Sequence, residues 1–224
     1  MRGNRGRASG MDLQVDLRIA ELLSSRLCHD LVSPIGAVNN GMELMEEDPD
    51  PDMMGDAVRL ISGSARQALA VVQFYRLAYG RAGHRVDADP GQLRQLAEGF
   101  AAPHKSTLVW RADDLGAAPD GSGKLLLNMI ALGLEALPRG GELTAEVTAG
   151  DRPRVAVTAA GRDAGLRPES RAALSDDIDF EELTPRSVQG HFTWLLARRM
   201  GGKLETDVPE EGRVVMSVPI GSAA

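Results

Sequence analysis

The chain has 224 residues, of which 43% are hydrophobic and 4% aromatic, and it carries a formal net charge of −7. The length suits two small domains, each with a hydrophobic core. The acidic balance argues against a nucleic-acid partner and against an anionic membrane surface, because both require a basic footprint. The single cysteine, Cys28, excludes an intrachain disulfide framework, and no apolar run approaches the ~18 residues of a membrane span. We therefore expect a cytoplasmic protein, not bound to a membrane, whose partners are other proteins.

The N-terminal third predicts a helical hairpin. Residues 1–10 are rich in Gly, Arg and Ser, and we expect them to form a disordered tail. From 11 to 47, apolar residues recur every three or four positions, which predicts one long helix. After an acidic turn with prolines at 48–52, a second seam of the same spacing predicts a helix at about 53–80. Because one hairpin cannot bury both seams well, we expect two subunits to form a homodimeric four-helix bundle.

The rest of the chain predicts a second domain of mixed structure. Helical periodicity breaks at 81–90, where Gly and Pro appear, so we place the hairpin domain at 11–82 and the second domain at 86–224. The predicted elements are helices at 92–102, 121–137 and 185–200 and strands at 107–111, 142–148, 154–159, 203–207 and 213–219. The predicted fold class is α+β, with an N-terminal helical hairpin and a C-terminal α/β sandwich.

His29 and Asp30 lie near the centre of the first predicted helix. At ~100° per residue, His29 projects ~170° away from the centre of the apolar stripe, so its imidazole is expected to face solvent. A neutral imidazole offers a nitrogen lone pair that can take a phosphoryl group from an acyl phosphate and pass it to another carboxylate. Asp30 could accept a hydrogen bond from one ring nitrogen and direct the other at phosphorus. An exposed His beside an Asp can equally be an ordinary solvated pair, and the residue types alone leave both interpretations open.

The side chains that continue the His29 face towards the hairpin tip are small or polar, with one apolar member: Val32, Ser33, Gly36, Asn39, Asn40 and Glu43. We call this set the docking face, because its composition suits transient contact with a partner. Solvent exposure explains the polar members equally well. Gly36 favours docking, since glycine inside a helix costs about 1 kcal/mol unless close approach requires it. On the second helix, we expect Ala70, Phe74 and Arg76 to lie level with His29, and we include Phe74 among the predicted partner-binding residues.

The segment His29-Asp-Leu-Val-Ser-Pro34 resembles the H-box of sensor histidine kinases, in which the His is followed by an acidic residue and, five positions on, by a proline. The longer stretch from Leu27 to Leu44 more closely resembles the ChpT-type histidine phosphotransferases, and this resemblance runs from about residue 17 to the C-terminus. It implies that His29 carries the phosphoryl group, on Nε2, and that Asp30 orients or assists it as a second catalytic residue.

The resemblance also implies the partners. It implies a phosphorelay between aspartates of receiver domains, from a hybrid histidine kinase of the CckA kind to response regulators of the CtrA and CpdR kind, in control of the bacterial cell cycle. Mg²⁺ is expected to arrive with the receiver domain.

The second domain resembles the ATP-binding domain of histidine kinases, the GHKL or Bergerat fold, but it departs from the nucleotide boxes of that fold. Asn128 matches the first asparagine of the N-box, whereas the second, which holds magnesium in those kinases, falls at Leu132, a side chain without a ligand oxygen. Ala159 stands where the adenine-reading aspartate is expected. The glycines of a phosphate-cradling lid are too scattered: Gly161, Gly165 and Gly190. We therefore predict no bound ATP and no metal or other cofactor of its own, with the domain supporting the bundle and giving the receiver a second contact.

Two other functions compete with a phosphotransferase. One is an ATP-dependent sensor-type histidine kinase with atypical boxes, which phosphorylation by ATP alone would reveal. The other is a non-catalytic module that binds response regulators, for which His29→Ala would leave binding and signalling intact.

Overall fold

The computed structural model describes residues 5–47, 50–80, 89–151, 153–175 and 177–220. In chain order the elements are α1 (Arg5–Glu47), α2 (Pro51–Ala78), α3 (Pro90–Ala101), β1 (Ser106–Arg111), α4 (Ser122–Glu135), β2 (Gly141–Thr148), β3 (Arg154–Ala160), α5 (Pro168–Ala172), α6 (Val188–Arg199), β4 (Glu205–Glu210) and β5 (Arg213–Pro219). Helices pack on one sheet and a helical hairpin precedes them, so the predicted α+β class and the predicted hairpin are confirmed.

Helix α1 starts earlier than the sequence predicts. It begins at Arg5, so residues 5–10 of the predicted disordered tail are helical, and residues 1–4 lie outside the described residues. Gly6 and Gly10 are poor helix formers, but extending an existing helix is far easier than starting one. The predicted domain junction, 81–90, lies mostly outside the described residues as well.

The two helices of the hairpin are joined closely. Asp50 caps the start of α2 by accepting a hydrogen bond from the Asp52 backbone N–H at 2.9 Å, and Pro51 occupies the first turn. Near the tip, Gly41 of α1 lies against α2, where a Cβ at Gly41 would come within 2.6 Å of the Ile61 side chain. Residues 48–49 of the predicted acidic turn lie outside the described residues.

The sheet has five strands in the order β1-β2-β3-β5-β4. Strands β1 and β2 are parallel, and the other neighbouring pairs are antiparallel. Side chains alternate along β2, so that Leu143, Ala145 and Val147 are buried while Glu142 and Glu146 are exposed. One face of the sheet therefore covers a core and the other carries polar side chains.

Helix α4 lies between this sheet and the hairpin. It is buried almost all round, from Ser122 to Leu134, as expected of a helix that is apolar on every side. The same core includes Phe74 and Tyr75 of α2, and Leu27 and Leu31 of α1 pack against it. The hairpin and the second domain thus share one core at the level of His29, which holds this part of α1 against α4.

Candidate functional site

His29 projects from α1 into solvent, with 83% of its side chain exposed. Its Nδ1 lies 3.3 Å from Oδ1 of Asp30, the next residue. If the ring proton sits on Nδ1, it donates to Asp30 and leaves the lone pair on Nε2. The structure therefore agrees with the predicted solvent-facing imidazole and with the predicted contact between His29 and Asp30.

Asp30 has a second partner that the sequence did not suggest. The Tyr75 hydroxyl of α2 donates to Asp30 Oδ2 at 2.5 Å, which is a short charge-assisted hydrogen bond. The two oxygens of this carboxylate thus face different elements: Oδ1 faces the exposed imidazole and Oδ2 faces the interior.

Tyr75 connects Asp30 to an ion pair with the second domain. Arg26 Nε donates to the Tyr75 hydroxyl oxygen at 3.3 Å, and Arg26 Nη2 donates to Glu135 Oε1 at 2.5 Å. The side chains of Arg26 and Glu135 are each only 12% exposed. Arg167 Nη2 donates to the other Glu135 oxygen at 3.2 Å. We call Asp30, Tyr75, Arg26 and Glu135 the buried relay, because each hydrogen-bonds the next.

The protonation states follow from burial and charge. Burial raises the pKa of the Tyr75 hydroxyl above its ordinary value, and although Arg26 opposes this, the Asp30 carboxylate adds to it, so Tyr75 is a donor at neutral pH. Burial is the largest single effect on the pKa of Arg26 and acts to lower it, but the Glu135 carboxylate and the Tyr75 and Tyr79 hydroxyls together outweigh burial, so the pKa is raised. Burial raises the pKa of the Glu135 carboxyl, against the opposing effect of Arg26 and Arg167.

The predicted docking face is solvent-exposed along its whole length. Its six residues all lie on α1, and all are exposed together with His29. Val32 is the most apolar member and is 69% exposed. Asn39 Nδ2 donates to Glu43 Oε1 at 2.7 Å within the face. Outside its own stretch of helix, a Cβ at Gly36 would find no atom of the described residues within 4 Å, so nothing in that part of the chain requires a glycine there.

The structure contradicts Phe74 as a partner-binding residue. Its side chain is fully buried, and its ring stacks on Phe100 of α3 with centroids 3.9 Å apart. A receiver domain could touch Phe74 only after the core had opened. The neighbour Arg76 is exposed and Ala70 is half-buried, so of the three residues placed level with His29 only Phe74 faces the core.

The positions aligned with the N-box and with the adenine-reading aspartate are buried. Leu132 and Ala159 have no exposed surface, and neither has Asn128. The Asn128 amide donates to the backbone oxygens of Ala78 and Lys124, both at 2.8 Å, and its Oδ1 accepts from Gln189 at 3.0 Å. This asparagine therefore joins α4 to the end of α2 and to α6.

Sequence reasoning missed Tyr75, Arg26 and Glu135. The three- and four-residue spacing of the second seam includes Tyr75 and so predicts that its side chain is buried, as it is, but the spacing does not show that its hydroxyl donates to Asp30. Arg26, three residues before His29, was one available signal, because a guanidinium that close to an apolar stripe needs a partner.

An exposed imidazole on a two-helix hairpin, beside a carboxylate and an α+β domain, is the arrangement expected of a histidine phosphotransferase. The family model for the histidine phosphotransferase C-terminal domain matches residues 90–212. The chain is 38% identical over 197 residues to the protein phosphotransferase ChpT of Brucella abortus (strain 2308), covering 87% of this chain and 92% of that protein. The chain belongs to the family of ChpT-type histidine phosphotransferases, and this confirms the family to which the sequence was assigned.

Two solved structures are also similar. A bacterial phosphotransferase solved at 1.7 Å is 37% identical and superposes with a TM-score of 0.77, over 90% of this chain and 96% of that chain. The histidine kinase AdeS of Acinetobacter baumannii superposes with a TM-score of 0.43 at 10% identity, over 88% of this chain and 98% of that chain.

Two further findings concern metals and membranes. Within the described ranges, no three His, Cys, Asp or Glu side chains come together closely enough to hold a metal ion. Among the helices described, none is both long and apolar enough to cross a membrane.

Proposed function

We propose that His29 is the phospho-carrier of this phosphotransferase and relays a phosphoryl group between aspartates of receiver domains. The observation that carries the proposal is the 83% exposed imidazole whose Nδ1 faces Asp30 at 3.3 Å. The donor is a receiver domain of a hybrid histidine kinase, and the acceptors are response regulators of the CtrA and CpdR kind in a cell-cycle phosphorelay. Mg²⁺ is supplied by the receiver domain.

Transfer requires little of the scaffold beyond positioning. The Nε2 lone pair of His29 attacks phosphorus, while the bond from phosphorus to the receiver's aspartyl oxygen breaks and leaves a carboxylate. Asp30 keeps the ring proton on Nδ1 and balances the positive charge that the ring gains. The reverse step passes the group to the next receiver.

The direct test incubates the protein with a receiver domain that carries a labelled aspartyl phosphate, in the presence of Mg²⁺. We expect acid-labile, base-stable label on the wild-type chain and none on His29→Ala. His104→Ala is the matched control, because His104 is also exposed and should keep wild-type labelling. Label retained by His29→Ala would exclude His29 as the carrier.

Docking is proposed to occur on the docking face. An arginine in place of Gly36 puts a long side chain in the path of the receiver, where a Cβ would meet no atom of another described element within 4 Å. We expect Gly36→Arg to raise the KM for the receiver at least tenfold with little change in stability. Gln92→Arg, at an exposed position on α3, adds the same side chain elsewhere and should leave KM unchanged. Equal KM values for the two variants would rule out docking at Gly36.

We also propose that the active form is a homodimer. Ile35 and Met42 belong to the apolar seam of α1, yet they are 55% and 52% exposed in the single chain. Burying such residues in a four-helix bundle removes apolar surface from water. Light scattering should give twice the chain mass for the wild type and the single mass for Ile35→Glu/Met42→Glu. A monomeric wild type at micromolar concentration would exclude the dimer.

Finally, we propose that the second domain binds no ATP. Leu132 and Ala159 are buried without a ligand oxygen or an adenine acceptor, and both ends of the Asn128 amide are already hydrogen-bonded. Labelled ATP alone should therefore leave the purified protein unlabelled. Labelling under these conditions would instead support the alternative of an ATP-dependent kinase.

A further inference from the structure

The contact between His29 and Asp30 is unusual for its place on a helix. Neighbouring residues on a helix point ~100° apart and do not normally face each other. Asp30 Oδ1 reaches His29 Nδ1 at 3.3 Å only in a particular orientation of the carboxylate. Without a second restraint, a side chain at a helix surface samples several rotamers.

The Tyr75 hydroxyl supplies that restraint. It donates to Asp30 Oδ2 at 2.5 Å and so fixes the rotation of the whole carboxylate. Tyr75 itself has little freedom, because it is only 1% exposed. Its ring stacks on Tyr79 with centroids 4.5 Å apart and meets Phe74 edge-on at 5.7 Å.

The second domain restrains Tyr75 indirectly, through Arg26 of α1. Arg26 Nε donates to the same hydroxyl oxygen, which leaves the Tyr75 proton for Asp30. Arg26 is fixed in turn by Glu135 of α4 through a contact of 2.5 Å. The buried relay therefore runs from Glu135 of the second domain to Asp30. Among the described residues, Asp30 is the one whose side chain hydrogen-bonds the imidazole Nδ1.

We propose that Tyr75 is a positioning residue for phosphotransfer, which holds Asp30 so that Oδ1 keeps the His29 proton on Nδ1 and leaves the Nε2 lone pair free to attack. The proposal rests on the role of His29 proposed above. In the transfer step the N–P bond forms at Nε2, the P–O bond to the receiver's aspartate breaks with its electron pair remaining on that carboxylate, and the Nδ1 proton stays hydrogen-bonded to Asp30.

The test compares Tyr75→Phe with Tyr79→Phe. Each variant removes one hydroxyl and keeps its ring in the stacked pair, but the Tyr79 hydroxyl donates to Gln189 at 2.6 Å and not to Asp30. The probe is the labelled receiver domain that phosphorylates the wild-type chain. We expect Tyr75→Phe to lower the transfer rate at saturating receiver about tenfold, as expected for the loss of one charge-assisted hydrogen bond, with KM within about twofold. Tyr79→Phe should keep the wild-type rate.

A second readout separates positioning from a structural role. The ¹⁵N chemical shifts of the His29 ring report which nitrogen carries the proton. We expect the Nδ1–H tautomer to dominate in the wild type and in Tyr79→Phe, and its share to fall in Tyr75→Phe. In an Asp30→Asn background, Tyr75→Phe should add little to the loss of rate, because both changes act through one carboxylate.

Equal rates and equal tautomer shares for Tyr75→Phe and Tyr79→Phe would overturn the proposal. If Tyr75→Phe does not fold, the Tyr75 hydroxyl proton of the wild type is observed by NMR instead. It should be protected from exchange and should shift in Asp30→Asn, and an unshifted resonance would equally overturn the proposal. Label on His29→Ala would refute the phospho-carrier itself, so the two failures are distinguishable.

Discussion

The ion pair between Arg26 and Glu135 allows a quantitative prediction about how the hairpin is held to the second domain. The change is Glu135→Leu, which keeps an apolar side chain of similar size in place of the carboxylate. Arg26 is then left buried, with the Tyr75 hydroxyl as its remaining partner among the contacts described. The opposite change, Arg26→Met, leaves Glu135 paired with Arg167 at 3.2 Å.

The magnitudes follow from this asymmetry. Removing one member of a buried ion pair costs about 3–5 kcal/mol, because the other charge loses its compensation. Both side chains here are 12% exposed, so we expect Glu135→Leu to fall in that range. Because Arg167 still compensates Glu135, we expect Arg26→Met to cost only about 1–3 kcal/mol. The double variant should cost clearly less than the sum of the two single changes.

The assay is urea denaturation at equilibrium, followed by two probes. The two tryptophans of the chain, Trp110 on β1 and Trp194 on α6, report on the second domain by fluorescence. Far-UV circular dichroism is dominated by the long helices of the hairpin. In the wild type the two transitions should coincide, whereas in Glu135→Leu the hairpin should unfold at lower urea than the tryptophans report.

Two outcomes would refute this reasoning. If Glu135→Leu costs less than about 1 kcal/mol, the pair is not a buried interaction of the kind assumed. If Arg26→Met costs as much as Glu135→Leu, Arg167 does not compensate Glu135. The matched control is Arg94→Met, because Arg94 and Glu98 form a largely exposed i,i+4 pair, for which we expect a change below about 1 kcal/mol.

Three further predictions concern stability. A Cβ added at Gly133 would lie 2.6 Å from Leu143 Cδ1, so Gly133→Ala should destabilise by about 1–3 kcal/mol through overpacking. At Gly36 the added Cβ would meet no atom of the described structure beyond its own helix within 4 Å, so Gly36→Ala should raise helix stability by about 0.5–1 kcal/mol in the same denaturation assay. The pKa of His191 is lowered by burial, against the effect of its hydrogen bond to the Ala173 carbonyl. The unfolded chain therefore binds the proton more tightly, and wild-type stability should fall as the pH drops below about 6.5, more steeply than in His191→Gln.

A specific result would contradict each of these predictions. If Gly133→Ala and Gly36→Ala changed the free energy of unfolding in the same direction, close packing would not distinguish the two glycines. For His191, parallel stability curves are expected at pH 7.5–8.5, where the imidazole is neutral in both folded and unfolded chains. Curves that also stay parallel down to pH 5 would contradict the pKa shift.

The elements and the exposed imidazole could be predicted from the sequence because both depend on local periodicity. Apolar residues every three or four positions predict α1 and α2, and the rotation of ~100° per residue along α1 predicts that His29 faces solvent. The buried relay could not be predicted this way, since it joins residues 49 and 109 positions apart in the chain. The Phe74 prediction was wrong for a related reason: a hairpin turn centred near residues 49–50 places Phe74 level with His29, but it cannot show that α3 brings Phe100 over its ring.

The hydrogen bonds of Asn128 stabilise the C-terminal end of α2. Asn128 satisfies the carbonyl of Ala78, the last residue of α2, and Lys124 Nζ donates to the next two carbonyls, those of Tyr79 and Gly80, at 3.1 and 2.9 Å. Helix ends leave such carbonyls without partners, so α4 acts as the cap of a helix from another part of the chain. We therefore expect that Leu132→Asn would not create a nucleotide site. Freeing Asn128 for a ligand would leave the Ala78 carbonyl without this partner and loosen the helix that carries Tyr75.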